Sequence, residues 1–66
     1  MAQALQISLK AARVNAGLTQ QDVAKAMSVT AQTISNWENG SQEPKLNQAR
    51  KLSALYKLPL DYIFTK

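Results

Sequence analysis

Cysteine and histidine are both missing from this 66-residue chain. Their absence removes thiol chemistry, any disulfide framework and the commonest zinc ligands together. Acid is scarce as well: Asp22, Glu38, Glu43 and Asp61 are the whole complement, and none is near another in sequence. Without a His or Cys beside them, these carboxylates do not assemble a catalytic constellation, so neither an enzyme nor a bound cofactor or metal is expected. No apolar run approaches the length of a membrane span. The N-terminus MAQALQISLK lacks the charged start and long apolar stretch of a signal peptide, and a cytoplasmic location is expected. Sixty-six residues imply one small domain over the whole length, 1–66, with a marginal core. The net charge of +4 is a modest basic excess, suited to a polyanionic partner.

What is present is concentrated in residues 19–40, TQQDVAKAMSVTAQTISNWENG. Thr19 with Asp22 three residues on has the form of a capping box with Asp in place of Glu. Val23, Ala24 and Met27 follow on one helical face, with Leu18 just upstream, while Gln20, Gln21 and Lys25 are expected to face away. Ser28-Val29-Thr30 interrupts the pattern. Thr30 can cap a second helix over Ala31–Asn39, and Gly40 stands where a left-handed terminator belongs.

That second helix carries the functional signal. With Ile34 placed at 0°, Gln32, Asn36 and Asn39 fall at about 160°, 200° and 140°, opposite the apolar side of Ile34 and Trp37. Thr33 and Ser35 flank them, and no Lys or Arg lies between Thr30 and Gly40. A merely solvated helix more often carries Glu and Lys at i,i+4. Carboxamides present a donor and an acceptor side by side, the pattern that matches the N6 and N7 edge of adenine in the major groove. Ordinary polar surface residues are the plain alternative.

This stretch resembles the helix-turn-helix of the phage Cro and CI repressors and their bacterial relatives, the XRE-type regulators. The matching pieces are Leu18-Thr19-Gln20, Ala24, Val29, Thr33-Ile34-Ser35 and Trp37-Glu38-Asn39-Gly40, continuing through Glu43-Pro44 and Leu60-Asp61-Tyr62-Ile63-Phe64. The resemblance implies an all-α, five-helix, lambda-repressor-like fold with the helix-turn-helix at helices two and three. It also implies an ion pair between Arg13 and Glu38, which agrees with the cost of leaving Glu38 unpaired at the core edge. One departure is Ser28, where the family often has glycine; a left-handed serine there costs roughly 1 kcal/mol.

The rest of the chain reads as support. Residues 1–4 show no pattern and are expected to fray. Leu5, Leu9, Ala12 and Ala16 form the stripe of helix one, ending at Gly17, with Ile7 and Val14 off the stripe. Pro44 biases Glu43 to extended backbone. Helix four spans about Leu46–Tyr56, with Leu46, Ala49, Leu52 and Leu55 or Tyr56 inward and Arg50 and Lys51 outward. Leu58-Pro59 breaks it, and residues 60–64 form a fifth helix whose Tyr62 and Phe64 cannot both be buried in so small a domain.

The expected function is a sequence-specific regulator of transcription, a repressor on double-stranded DNA; the alternative is a protein-interaction module of the same fold, as in an antirepressor or antitoxin partner. The resemblance places base readout at Ala31, Gln32 and Asn36, with Thr33 to base or phosphate. It places phosphate contacts at Gln20 and Asn39, and charge and location add Ser41 and Lys45. So few cations near the groove imply weak binding per subunit. A homodimer on a pseudo-palindromic operator is therefore expected, formed in advance or only on the DNA. No small-molecule effector is inferred.

Overall fold

A computed structural model describes residues 7–63. The expectations for residues 1–4, Leu5 and Phe64 lie outside the described residues. Five helices follow one another without a strand among the described residues: α1 (Leu9–Asn15), α2 (Gln20–Met27), α3 (Ala31–Asn39), α4 (Leu46–Tyr56) and α5 (Leu60–Ile63). This is the expected all-α, five-helix architecture.

Short polar side chains start the first three helices. Ser8 Oγ accepts from the Ala11 amide at 3.0 Å, and Thr30 Oγ1 accepts from the Thr33 amide at 3.1 Å. At α2 the capping box is complete: Thr19 Oγ1 accepts from the Asp22 amide at 3.0 Å, and Asp22 Oδ2 accepts from the Thr19 amide at 2.9 Å. These reciprocal bonds satisfy two of the amides that a helix start leaves open. Lys45 precedes α4, where an ammonium cannot accept; Gln48 Oε1 takes the Lys45 amide instead, at 2.8 Å.

The ends of α1, α2 and α4 share one device. A left-handed residue closes each helix: Gly17 at φ 77°, Ser28 at φ 59° and Lys57 at φ 57°. The next amide then reaches back five residues, from Leu18 to the Arg13 carbonyl, Val29 to Ala24 and Leu58 to Ser53, at 3.1, 2.9 and 3.1 Å. Leu18, Val29 and Leu58 each pack against the core. This is a Schellman-type stop, in which the apolar residue after the left-handed position folds back onto its own helix. Ser28 and Lys57 adopt that backbone without glycine's freedom, at a cost of about 1 kcal/mol apiece. Gly40 closes α3 at φ 85°; no atom lies within 4 Å of where a Cβ would stand, so its backbone angle alone is what favours glycine there.

The core draws on every helix: Ala12, Val23, Ala24, Met27, Ile34, Trp37, Leu52, Tyr56 and Ile63. α2 packs chiefly on α3, α1 on α3 and α4, and α4 on α5. Some expectations are corrected. Helix one begins at Leu9, because Ser8 caps it; Ile7 before it is not helical, and its amide donates to the Tyr62 carbonyl at 2.7 Å, joining the start of the described chain to α5. Ala16 lies past the last turn of α1 and is exposed. Leu46, expected inward, is 61% exposed. It shares the helical side of Ala49, Leu52 and Tyr56, but as the first residue of α4 it overhangs the core. Tyr62 is 37% exposed.

Two predictions follow from the helix ends. Ser28→Gly is expected to raise unfolding stability by a few tenths to about 1 kcal/mol in urea melts, the left-handed gain being partly offset by glycine's freedom when unfolded. Ser28→Val is expected to lose more than about 1 kcal/mol. The Thr19 amide holds the Asp22 pKa below its ordinary 3.8. A depressed carboxylate contributes stability above the unfolded pKa and loses it as pH falls through the folded one. The stability gap between wild type and Asp22→Asn should therefore be constant near neutrality and shrink as thermal melts are taken below pH 3.8.

Candidate nucleic-acid interface

α3 is anchored from inside by Ile34 and Trp37, which are 1% and 7% exposed. That anchoring decides which side chains remain outside. Gln32 and Asn39 are exposed, and Asn36 is half-buried. The amides do not stand separately. Gln32 Nε2 donates to Asn36 Oδ1 at 3.0 Å, and Asn36 Nδ2 donates to Gln42 Oε1 at 3.1 Å. The row of carboxamides therefore runs along α3 and onto the loop behind it. The other two expected reading positions are less free. Ala31 is half-buried and packs at the edge of the core. Thr33 Oγ1 lies 2.9 Å from Thr30 Oγ1, so its hydroxyl is shared with the helix cap.

Orientation of α3 is held by its one acid. Glu38 Oε2 accepts from Arg13 Nε at 2.7 Å, and the two side chains are only 6% and 11% exposed. Arg13 Nη2 reaches Glu38 Oε1 at 3.4 Å, and Nη1 donates to the Leu18 carbonyl at 2.9 Å. Gln20 Nε2 donates to the same Glu38 Oε1 at 3.1 Å. The expected Arg13–Glu38 pair is thus present, and one carboxylate joins α1, α2 and α3. The hydrogen bond to Glu38 raises the Arg13 pKa further above its already high ordinary value, against the opposing effect of desolvation. Burial, and then the Glu38 charge, push the neighbouring Tyr56 phenol up to about 12, so it packs as a neutral group.

Gln20, expected to face away, is half-buried because Glu38 engages its amide. It nevertheless lines a recess of about 220 Å³ with Asn39, Ser35, Glu38 and Lys10. Two expected phosphate residues on different helices, Gln20 and Asn39, are therefore brought together. Ser41 and Lys45 are exposed farther along the chain and do not line that recess. Asn39 Oδ1 accepts from the Ser41 amide at 2.9 Å. Lys10 and Gln42 are absent from the sequence-based assignment. Lys10 stands three residues before Arg13 and so on the same side of α1, a spacing that could have pointed to it. Nothing in the sequence pairs Gln42 with Asn36. No helix among the described residues is long and apolar enough to cross a membrane.

Residues 9–63 match the helix-turn-helix family, and the chain belongs to it, in the XRE-type class that the sequence resembles. Among known proteins it is similar to the HTH-type transcriptional regulator ImmR of Bacillus subtilis (strain 168), 36% identical over 58 residues that make up 88% of this chain and 46% of that protein. It is also similar to the uncharacterized HTH-type transcriptional regulator MJ0272 of Methanocaldococcus jannaschii, 38% identical over 56 residues, 85% of each chain. The chain thus spans about half the length of the first relative and most of the second. No solved structure matches it significantly.

The Arg13–Glu38 pair is part-buried, and removing one partner is expected to cost about 1–3 kcal/mol, less than in a fully buried pair. Arg13→Ala is therefore expected to lower the thermal midpoint measured by far-ultraviolet circular dichroism. Replacing both partners, Arg13→Met with Glu38→Leu, should restore most of the lost stability. Equal losses in the single and double variants would show that the cost comes from losing the pair itself and not from the orphaned Glu38 carboxylate.

Proposed function

We propose that this chain regulates transcription by binding double-stranded DNA in a sequence-specific way, with α3 in the major groove and α2 across the phosphate backbone. The observation that carries the reading is the outward row of amides on α3, held in place from behind by Ile34, Trp37 and Glu38. Family membership and the names of both relatives support a DNA-binding regulator of transcription.

In this reading Gln32 and Asn36 contact base edges, Ala31 offers the exposed part of its methyl to a thymine, and Thr33 contacts base or phosphate. Gln20, Asn39, Ser41 and Lys45 contact phosphates, with the amides at the start of α2 adding partial positive charge. Lys10 supplies a full charge at the recess that Gln20 and Asn39 line. With no cation on α3 itself, a single subunit binds weakly. Useful specificity then needs a homodimer on a pseudo-palindrome with half-sites about one turn apart. In this reading the protein acts as a repressor by binding over a promoter, in the cytoplasm. The neutral face of α3 also fits the alternative, a protein-binding module of the same fold. The gathering of Lys10, Gln20 and Asn39 favours a phosphate ligand instead.

Selection from random duplexes followed by competition binding tests the assignment. Gln32→Ala and Asn36→Ala are each expected to lose about 1–3 kcal/mol of discrimination at one base pair while non-specific binding persists. The slope of log K against log salt should be near about −2 per subunit, for the roughly two phosphates that Lys10 and Lys45 neutralise. A slope near zero would overturn the phosphate assignment, and unchanged base preference in both variants would overturn the reading role.

A further inference from the structure

Gln42 lies outside α3, in the loop that follows it, yet it is tied to Asn36 twice. Its side-chain Oε1 accepts from Asn36 Nδ2 at 3.1 Å, and its amide donates to the Asn36 carbonyl at 3.2 Å. The preceding residue is tied down too. The Ser41 amide donates to Asn39 Oδ1 at 2.9 Å, and Ser41 Oγ donates to the Asn36 carbonyl at 3.4 Å. Pro44 then holds Glu43 toward extended backbone. Gln42 is thus a fixed neighbour of α3, although it is exposed.

The consequence falls on Asn36. A free asparagine can swing its amide plane, so the directions in which it offers donor and acceptor are undefined and it discriminates poorly. Here both ends of the group are committed: Oδ1 receives from Gln32 and Nδ2 gives to Gln42. These two bonds restrain the plane of the Asn36 amide before any ligand arrives and leave it one N–H and one lone pair. Preorganised polar groups discriminate because the wrong partner leaves them unpaired.

We propose that Gln42 is a positioning residue for sequence readout, acting on the base pair that Asn36 faces by holding the plane of the Asn36 amide. The inference rests on the DNA-reading function proposed above.

The test compares wild type, Asn36→Ala, Gln42→Ala and the double variant on single-base-pair substitutions of a duplex selected with the wild-type protein. Gln42→Ala should lower discrimination roughly two- to tenfold, the worth of one hydrogen bond, at the same base pair that Asn36→Ala relaxes. Discrimination at the other pairs, the salt slope and the thermal midpoint should stay at wild-type values. The double variant should lose no more at that pair than Asn36→Ala alone. Full wild-type discrimination in Gln42→Ala would overturn the proposal, and so would an additive loss or a loss at another base pair, which would make Gln42 an independent reader. If the wild-type protein selected no sequence at all, the DNA-reading function itself would fall. That result is distinct from a wild-type preference that survives Gln42→Ala.

Discussion

One carboxylate fixes the geometry on which the rest depends. Glu38 projects from α3 into the junction of three helices, where Arg13 of α1 and Gln20 of α2 both donate to it. A carboxylate that far from water is costly without partners, so the junction is stable only when all three helices are in place. Arg13 adds the Leu18 carbonyl to the same cluster, which draws the α1–α2 connection into the junction. Apolar packing through Ile34 and Trp37 gives α3 its depth in the fold. Packing is tolerant of small rotations, whereas a hydrogen-bonded pair at 2.7 Å is directional. The orientation of the outer amides therefore traces back to a group on the inner edge of the same helix.

The turns complete that constraint. Three helices stop by the same device, a left-handed residue and a backward-packing apolar neighbour, so direction changes occur within three or four residues and use the core as their anchor. Between α2 and α3 this puts the end of one helix close to the start of the next, with Thr30 capping α3 immediately after Val29. Short connections of this kind convert a small hydrophobic core into a fixed angle between two helices. In the proposed function, that angle directs one helix to a groove and the other to the backbone.

Charge and readout are separated in space. α3 carries no basic side chain, and the nearest cation at its recess, Lys10, comes from α1. Attraction to a polyanion is then sequence-blind and belongs to the periphery, while discrimination belongs to neutral donors and acceptors. Linking Gln32, Asn36 and Gln42 into a row restrains the planes of those neutral groups, which isolated amides leave free.

The sequence by itself determined the helices, the capping box at Thr19 and Asp22, the terminator at Gly40 and the inward side of α3. Each of these depends on residues within four positions of one another, where local hydrogen bonding and helical period decide the outcome. The Arg13–Glu38 pair was legible only through family resemblance, since twenty-five positions separate its members. Leu46 and Ala16 misled because periodicity reports which side of a helix is apolar, and the two residues stand at helix ends that the core does not reach. Lys57 in a left-handed turn carried no compositional sign, as lysine has no special tolerance for that backbone. Only the tertiary structure decided that Lys10 joins Gln20 and Asn39 at one recess, and that Gln42 meets Asn36. Those contacts join separate elements, and their geometry is set by how the helices pack and how the loop folds back.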